Sequence, residues 1–501
     1  MTKAQAIETL LEKNEAMRAL GMAQSIIYWD ALTSGVPEKS LPSRGARVGW
    51  LSGDSFRRFI APNTLEAIET LESFSGELCV FERAMVREMG RQYRKEKAVP
   101  PEEFQAFIDL TSQAQIVWET ARAKRDYGLI LPYYDGIFDY QRRLCDWYGY
   151  EEHPYDALLD DFEQGATVKM LDGFFGALRE KIVPLIKGIS QAGKCPKEIT
   201  GLFDIEKQRE LSPWLTGFVG YDRTRGKTGE VEHPFCIAVN RHDVRITTKY
   251  HGDNLLSAIY STLHESGHAL YDQNIDEELE RYGLADGASM SMHESQSRLF
   301  ENMICRSRAF AGQLLPQLRK SFDYFAGWDE ESLYRAVNIA RPSLIRIEAD
   351  ELTYSLHIMV RYELEKALMT GDIKAADLPG LWDDKYEEFL GIRPNDAADG
   401  VLQDVHWSGG SVGYFPTYAL GTAYGAQMMS AMSKSVDIDD AVKAGDLSPV
   451  LGWLKVNIHK HGMVLTPVDL LKQATGEAFD PQYFVDYLSD KFTDLYSLPS
   501  H

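Results

Sequence analysis

The residues best suited to chemistry in this 501-residue chain form the segment His264-Glu265-Ser266-Gly267-His268. The two histidines are four residues apart, so a helix would place both imidazoles on one face, about one turn from each other. Two imidazoles in that arrangement can bind one Zn²⁺ ion, and Glu265 beside them can reach a water molecule at an open coordination position. The pattern predicts metal-assisted hydrolysis. The alternative is an ordinary solvent-exposed helix face.

A catalytic zinc ion needs a third protein ligand, and Glu294 is the next candidate. It lies 26 residues after His268, in the segment HESQSR. The apolar pattern of residues 292–310 predicts a helix that could bring Glu294 to face the first helix. A glutamate in the first turn of a helix is also favoured by the helix dipole alone, so the pattern leaves both explanations open. No third histidine follows at the metzincin spacing.

Two kinds of element must position these residues. Residues 254–273 carry apolar side chains at helical spacing without a proline, which predicts a helix around the HExxH segment. Immediately before it, residues 217–250 combine glycine-rich turns with short β-branched runs, which predicts one small antiparallel β-sheet. Helical periodicity dominates the remaining chain, so the predicted fold class is mostly α. The clearest further helical patterns lie at about 104–120, 168–192, 300–325, 332–372 and 465–495.

Composition excludes several classes of function. The formal net charge is −22, and such an acid excess argues against nucleic acid as a partner. The sequence has no run of about 18 apolar residues and no visible signal peptide, so we expect neither a membrane partner nor secretion. The five cysteines are widely spaced and form no CxxC motif, which favours free thiols and a cytoplasmic location.

Six ordered motifs, together with the segment GYFPTYALG at 413–421, resemble the thermostable (Taq-type) metallocarboxypeptidase family. The family patterns are HPF, DxRxT, HExxH, HES(G/Q)SR, IRxxAD and GxxQDxHW. The matching segments are HPF at 233–235, DVRIT at 243–247, HESGH at 264–268, HESQSR at 293–298, IRIEAD at 345–350 and GVLQDVHW at 400–407.

The resemblance implies a fold like that of neurolysin and angiotensin-converting enzyme, mostly helical and with a deep substrate groove. It implies a homodimeric, zinc-dependent carboxypeptidase that acts on peptides with a free C-terminus and releases single amino acids. Co²⁺ or Mn²⁺ could substitute for zinc. We expect residues 1–501 to form a single catalytic unit. The helices of about 1–200 would make one wall of the groove, and residues 201–501 would carry the metal site.

The motif matches also imply roles for individual residues near the metal. His264, His268 and Glu294 become the metal ligands, and Glu265 becomes the general base that assists attack of a metal-bound water. A catalytic metalloprotease also benefits from a further donor to the oxyanion, worth roughly 3 kcal/mol. Our candidates for this donor come from two of the matching segments: His406 and Tyr418, with Tyr414 as second choice. The alternative for all three is core packing with satisfied polar atoms.

A carboxypeptidase must also recognise a free carboxylate, which a partly buried arginine does best. The resemblance places IRxxAD at the C-terminal end of the substrate, so Arg346 is the first candidate. The alternative is an ion pair between Arg346 and Asp350, four residues apart on a helix. Arg298 is a second candidate, but it lies four residues after Glu294 and could instead orient that ligand.

Two residues near the predicted sheet complete the candidate binding set. Arg245 lies on a predicted strand and could either bind substrate or brace the sheet. His233 precedes Pro234, which favours an extended backbone, so His233 could line the groove beside a sheet edge to which an extended peptide adds. The alternative for His233 is an ordinary turn residue.

Two other functions are compatible with the residues themselves. An oligopeptide endopeptidase would use the same metal and the same base but would not depend on a free C-terminal carboxylate. A helical binding protein with a vestigial site would bind zinc without hydrolysing peptides. The presence of all the expected ligands and of the base counts against this second alternative.

Overall fold

Helices make up 70% of the structure, a computed structural model that describes residues 1–193 and 195–499. The helices are α1 Lys3–Thr33, α2 Leu41–Phe59, α3 Pro62–Ser73, α4 Val80–Ala98, α5 Pro101–Lys124, α6 Leu131–Tyr148, α7 Pro154–Phe162, α8 Val168–Ala192, α9 Ile205–Phe218, α10 Leu255–Asn274, α11 Glu278–Arg281, α12 Met290–Arg298, α13 Arg308–Ser321, α14 Glu330–Val337, α15 Glu351–Thr370, α16 Leu378–Leu390, α17 Pro416–Met432, α18 Ile438–Ala444, α19 Ser448–Asn457, α20 Pro467–Thr475 and α21 Gln482–Tyr496. The strands are β1 Gly226–Glu230, β2 Cys236–Asn240 and β3 Asp243–Thr248. In the described ranges, no helix has the length and apolar character that crossing a membrane requires.

The chain folds into two compact units, each assembled from three stretches of sequence. Unit 1 contains residues 1–97, 199–334 and 428–478. Unit 2 contains residues 98–198, 335–427 and the chain from 479 onward. The first 200 residues, whose helices are predicted to form one wall of the groove, are therefore shared between the two units. The predicted metal ligands all belong to unit 1.

The sheet of unit 1 is mixed, so the prediction of an antiparallel sheet is only partly right. The strand order is β1-β3-β2, with β2 and β3 antiparallel but β1 and β3 parallel. The chain reverses direction twice between β1 and β3, which leaves these two strands pointing the same way. The predicted position is confirmed, since the sheet ends at Thr248, shortly before α10 begins at Leu255.

Helix α10 carries the HExxH segment, as predicted, and is buried on nearly all sides. Its N-cap is Asn254, whose side chain accepts a hydrogen bond from the backbone N–H of Ser257. The hydroxyl groups of small polar residues within this helix donate hydrogen bonds to carbonyl groups of the same helix. Thr262 donates to the carbonyl of Ala258 and Ser266 donates to the carbonyl of Thr262. The helix can therefore be buried without unpaired hydroxyl groups.

Helix α12 carries the HESQSR segment and continues into a wider π-helical turn. Ser289 caps its start by accepting from the backbone N–H of Met292. The π-helical turn spans Leu299–Ile304, and a break at residues 305–307 precedes α13. The continuous helix predicted from 292 to 310 is therefore interrupted. π-helical turns are frequent at functional sites, because the extra residue re-aims the side chains beside it.

The helical stretch predicted at 332–372 also divides in two. Helix α14 ends at Val337, and α15 starts only at Glu351. Asp350 is the N-cap of α15 and accepts from the backbone N–H groups of Leu352 and Thr353. The IRIEAD segment therefore lies in the connection before α15, where Arg346–Glu348 form a single 3₁₀ turn. Helix α15 is largely buried and packs against α8, which also contacts α21.

Gly267 allows α12 to pack unusually close to α10. A Cβ atom at position 267 would lie 2.6 Å from the carbonyl oxygen of Gln296 and 2.6 Å from the Cα of Ser297. Both are backbone atoms, which cannot turn away as a side chain can. Only a glycine fits at this crossing, so the middle of the HExxH segment fixes the distance between the two helices.

We expect Gly267→Ala to lower the free energy of unfolding by roughly 1–3 kcal/mol, because overpacking forces the two helices apart. Urea denaturation followed by circular dichroism measures this change. Gly21→Ala is the matched control, since Gly21 lies within α1 and no atom would approach its Cβ within 4 Å. It should be neutral or stabilise the protein by up to about 1 kcal/mol. Equal stabilities of the two variants would contradict the expected crowding.

Candidate metal centre

Three donor atoms converge on one point between α10 and α12. The Nε2 atom of His268 lies 3.3 Å from Oε2 of Glu294, and the Nε2 atom of His264 lies 3.6 Å from the same oxygen. All three donor atoms lie within 4.8 Å of one another. The three residues predicted as metal ligands are thus brought together by the close packing of the two helices.

The donor set fits a divalent metal ion. Two ligands of a tetrahedral zinc ion, each about 2.0–2.1 Å from the metal, are roughly 3.4 Å apart. The observed separations of 3.3 and 3.6 Å bracket that value. Two imidazoles and one carboxylate are also the ligand types of several catalytic zinc sites. These residues can hold such an ion with little movement.

The imidazole of His264 is oriented by a carboxylate behind it. Its Nδ1 atom lies 2.9 Å from Oε2 of Glu301, within the π-helical turn. Arg298 donates to the same oxygen at 3.1 Å, and the guanidinium of Arg306 lies 3.6 Å from the other oxygen. Burial opposes ionisation, but Arg298 and His264 lower the pKa of Glu301 to about 2. Glu301 therefore stays ionised and holds Nε2 of His264 toward Glu294.

Glu294 is held from the other side by Arg298. The Nε atom of Arg298 donates to Oε1 of Glu294 at 2.7 Å, and Ser297 donates to Oε2 at 3.1 Å. Burial raises the pKa of this carboxyl, but Arg298 and the two imidazoles together hold it well below its usual range. Among the predicted roles of Arg298, this contact matches the orientation of the ligand rather than the binding of substrate.

Glu265 points from the same helix and is only 6% exposed. Burial raises its pKa to about 7, from a usual value near 4.5, although His264 partly opposes the shift. A carboxyl group with a pKa near neutrality can both accept and return a proton, which is the property that a general base in hydrolysis needs.

Unit 2 contains a separate buried cluster of two arginines around one aspartate. Arg346 donates from Nε and Nη2 to Oδ1 of Asp404, at 3.0 and 2.8 Å. Arg361, which is fully buried, donates from Nε to Oδ2 at 2.8 Å. The alternative that Arg346 pairs with Asp350 is wrong, because no α-helix joins the two residues and Asp350 caps α15 instead.

The aromatic residues predicted near the reaction centre form a group of their own within unit 2. The Nε2 atom of His406 lies 3.4 Å from the hydroxyl of Tyr418, and the ring of Tyr414 lies 5.2 Å from that of Tyr418. Burial lowers the pKa of His406 to about 4, so its imidazole is neutral at pH 7. The guanidinium of Arg346 lies 5.1 Å from the centre of the Tyr418 ring.

A buried carboxyl group fixes the backbone on both sides of this aromatic group. Glu365 accepts hydrogen bonds from the indole of Trp407 at 2.6 Å, from the backbone N–H of Gly413 at 2.9 Å, and from the hydroxyl of Tyr155. Burial raises the pKa of Glu365 to about 7. The side chain thus ties helix α15 to the GVLQDVHW segment and to the start of the GYFPTY segment.

The two candidates near the sheet have simpler surroundings. Arg245 lies on β3, and its guanidinium donates to both carboxylate oxygens of Asp243, at 2.7 and 2.6 Å, and lies 5.5 Å from the ring centre of Trp29. These contacts match the bracing role more closely than substrate binding. His233 is exposed in the connection between β1 and β2.

Sequence reasoning overlooked several residues that support these sites. Glu301 follows Glu294 by seven residues, two helical turns, and this spacing is a signal that was available. Asp404 belongs to a matched motif but lies 58 residues from Arg346, so no local pattern pairs them. The other overlooked residues are Asp272, His293, Arg361 and Glu365.

Comparisons with known proteins find similar sequences and structures along nearly the whole chain. The family model for the carboxypeptidase Taq (M32) metallopeptidases matches residues 9–492. Carboxypeptidase 1 of Bacillus subtilis is 41% identical, over 95% of this chain and 96% of the relative. The solved structure of Pyrococcus furiosus carboxypeptidase superposes with a TM-score of 0.94 at 37% identity, covering 97% of this chain and 99% of the other. The M32 carboxypeptidase of Deinococcus radiodurans gives 0.95 at 33% identity, covering 98% and 100%.

The shifted pKa of Glu365 predicts how stability changes with pH. Its folded-state pKa of about 7 exceeds the usual 4.5, so the protonated carboxyl stabilises the fold below pH 4.5 and this contribution is lost as the pH rises to 7. The shift corresponds to roughly 3 kcal/mol. We expect the free energy of unfolding of the wild type to fall by that amount between pH 4.5 and 7, relative to Glu365→Gln.

Urea denaturation at a series of pH values measures the difference between the two proteins. Glu119→Gln, which removes an exposed carboxyl on α5, is the control and should follow the wild type at every pH. Parallel curves for the wild type and Glu365→Gln would contradict the expected linkage.

Proposed function

The chain belongs to the carboxypeptidase Taq (M32) metallopeptidase family and is a metallocarboxypeptidase, and we propose that it uses zinc to release single amino acids from peptide C-termini. The observation that supports zinc is the convergence of His264, His268 and Glu294, with both distances from histidine to Glu294 near the tetrahedral value. Co²⁺ and Mn²⁺ are possible substitutes in the same donor set.

We propose that Glu265 is the general base. A bound divalent ion would supply polarisation of the scissile carbonyl and a lower pKa for the attacking water. Glu265 then accepts one proton from that water, while the oxygen of the water forms a bond to the carbonyl carbon of the substrate. It returns the proton to the amine nitrogen as the C–N bond breaks. Its burial and its pKa near 7 support both halves of this transfer.

His406 and Tyr418 remain our candidates for stabilising the oxyanion, with Tyr414 as second choice. A phenol hydroxyl and a neutral imidazole can each donate a hydrogen bond to developing negative charge. The low pKa of His406 supports the neutral form that this role needs. The proposal for His233 as a residue that lines the substrate groove rests on the extended backbone that Pro234 favours and on its exposed position beside the sheet.

We propose that Arg346 binds the free carboxylate of the substrate, with Arg245 and Arg298 as lesser candidates. Two guanidinium groups share the single carboxylate of Asp404, which leaves an excess of one positive charge in a buried place. Arg346 has five N–H donors, and three of them are engaged by Asp404 and Tyr354. The other two can serve a bidentate carboxylate.

The remaining proposals rest on the family resemblance and on the sequence. We propose a homodimer, a cytoplasmic location and a single catalytic unit over residues 1–501. Free thiols support the reducing compartment, since the structure pairs none of the five cysteines, all of which lie in the described ranges. Membership in the family favours a carboxypeptidase over both the endopeptidase and the binding protein that the residues alone left open.

We expect Glu265→Gln to lower kcat by roughly 10²-fold to 10⁴-fold, because the amide of glutamine cannot accept a proton from the attacking water. The zinc content per chain, measured by elemental analysis, should stay at the wild-type value, since Glu265 is not a ligand in the proposal. Glu277→Gln, on the exposed surface of the same unit, is the control and should keep full activity. A fully active Glu265→Gln protein would exclude the proposed base.

We expect the zinc-loaded protein to shorten a mixed peptide one residue at a time from its C-terminus, and to leave the C-terminally amidated twin intact. Mass spectrometry of both digests shows this directly. Arg346→Gln should lower kcat/KM for the free acid by roughly 10–100-fold, because a charge-assisted bidentate pair is lost. In this variant, the ratio of the cleavage rate of the free peptide to that of its amidated twin should also fall. General destabilisation of the protein would not change this ratio. Internal cuts in both peptides would instead indicate an endopeptidase.

A further inference from the structure

The imidazole of His268 is backed by a second imidazole rather than by a carboxylate. Its Nδ1 atom lies 2.6 Å from Nδ1 of His293, and Nε2 of His293 lies 3.1 Å from Oδ1 of Asp272. Asp272 lies one helical turn after His268 on α10, and His293 directly precedes Glu294 on α12. The chain His268–His293–Asp272 therefore leaves α10, crosses to α12 and returns to α10.

With both rings neutral, only one placement of protons satisfies this chain when His268 acts as a metal ligand. Binding through the Nε2 lone pair leaves the neutral ring of His268 with its proton on Nδ1. That N–H donates to Nδ1 of His293, which must then accept. A neutral ring with an accepting Nδ1 carries its proton on Nε2, and this N–H donates to the carboxylate of Asp272.

We propose that His293 is a positioning residue that selects the metal-binding tautomer of His268, and that Asp272 in turn selects the tautomer of His293. The inference rests on the proposed metal site. Hydrogen-bonding partners of metal-bound histidines generally fix the orientation and basicity of the ring. A carboxylate such as Glu301 behind His264 can only accept, whereas an imidazole can donate or accept. His293 therefore needs Asp272 to set its direction.

The surroundings of His293 support a fixed ring. Its ring centroid lies 5.2 Å from that of Tyr271, and the ring of Tyr271 in turn lies 5.2 Å from that of the buried His459. Gly287 makes room for it, since a Cβ there would lie 2.7 Å from Cδ2 of His293. This packing leaves the imidazole little freedom to rotate away from His268.

One competing role uses the same atoms. Donor atoms of Asp272, Asp286 and His293 all lie within 4.8 Å of one another, so these three groups could hold a second cation. A cation on Nε2 of His293 would displace the proton that the chain donates to Asp272. The two roles are therefore exclusive, and the number of zinc ions bound per chain separates them.

The test compares three variants of the full-length protein. His293→Leu removes the acceptor, whereas His293→Asn keeps an acceptor oxygen near the position of Nδ1. His459→Leu removes a buried imidazole that packs on the same tyrosine but bonds Gln296 instead of a ligand. The readouts are the Kd for Zn²⁺ from competition with a chelator, the visible spectrum of the Co²⁺-loaded protein and the zinc content per chain.

We expect His293→Leu to raise the Kd for Zn²⁺ by roughly 10–100-fold and to alter the Co²⁺ spectrum. His293→Asn should stay within a few-fold of the wild type, and His459→Leu should match it. A wild-type Kd in His293→Leu would overturn the inference. An equal loss in both leucine variants would do so as well, because it would show general loosening. Two zinc ions per chain, reduced to one by Asp286→Asn, would assign these residues to a second cation.

A benchmark variant separates this inference from the proposed function. If His268→Ala abolishes tight Zn²⁺ binding while His293→Leu leaves it unchanged, the proposed site stands and only the role of His293 fails. If His268→Ala also binds Zn²⁺ as tightly as the wild type, the metal lies elsewhere, and both proposals fail together.

Discussion

The close crossing of α10 and α12 at Gly267 is the constraint on which the rest of the metal centre depends. The ligands come from two helices, and their donor atoms meet because backbone packs directly against backbone at this position. The partners behind the ligands follow from the same crossing. Arg298 and Glu301 continue along the second helical segment, and His293 returns the contact to α10. The absence of a side chain at Gly267 thus determines the distances between the ligands and between the residues that hold them.

Each unit contains a buried cluster with unequal numbers of acidic and basic side chains. The sign of the excess charge differs between the two units. In unit 1, buried or half-buried carboxylates outnumber guanidinium groups around the ligands, which suits a cation. In unit 2, two arginines share one aspartate, which suits an anion. Unbalanced buried charge is costly, and a ligand of opposite charge would lower that cost. The carboxylates are Glu265, Glu294, Glu301 and Asp272, and the arginines beside them are Arg298 and Arg306.

Much of this arrangement could be predicted from the sequence, because local patterns determine local structure. The helix around HExxH and the position of the sheet before it are confirmed, as is the mostly helical fold. The parallel pairing of β1 with β3 could not be predicted, since it depends on how the chain turns between strands. The interruptions of the predicted helices at 299–307 and 338–350 could not be predicted either. The apolar residues keep their helical spacing through both ranges, although the α-helix does not continue. The pairing of Arg346 with Asp404 is a contact across 58 residues, and only the folded chain reveals it.

Each unit combines segments from distant parts of the chain, and this affects how the protein folds during synthesis. Unit 1 needs residues 428–478 to be complete, so its first 97 residues leave the ribosome long before their last partners exist. At about 5–20 residues per second, that interval is roughly 20–80 s. The apolar cluster shared by α1, α3 and α4 lies almost wholly within these 97 residues. The partners that arrive last include the backbone carbonyl groups of Met463 and Val464, which accept hydrogen bonds from Arg87 on α4. The order of synthesis therefore lets the amino-terminal helices pack on one another first, and it completes unit 1 only after residues 428–478 have emerged.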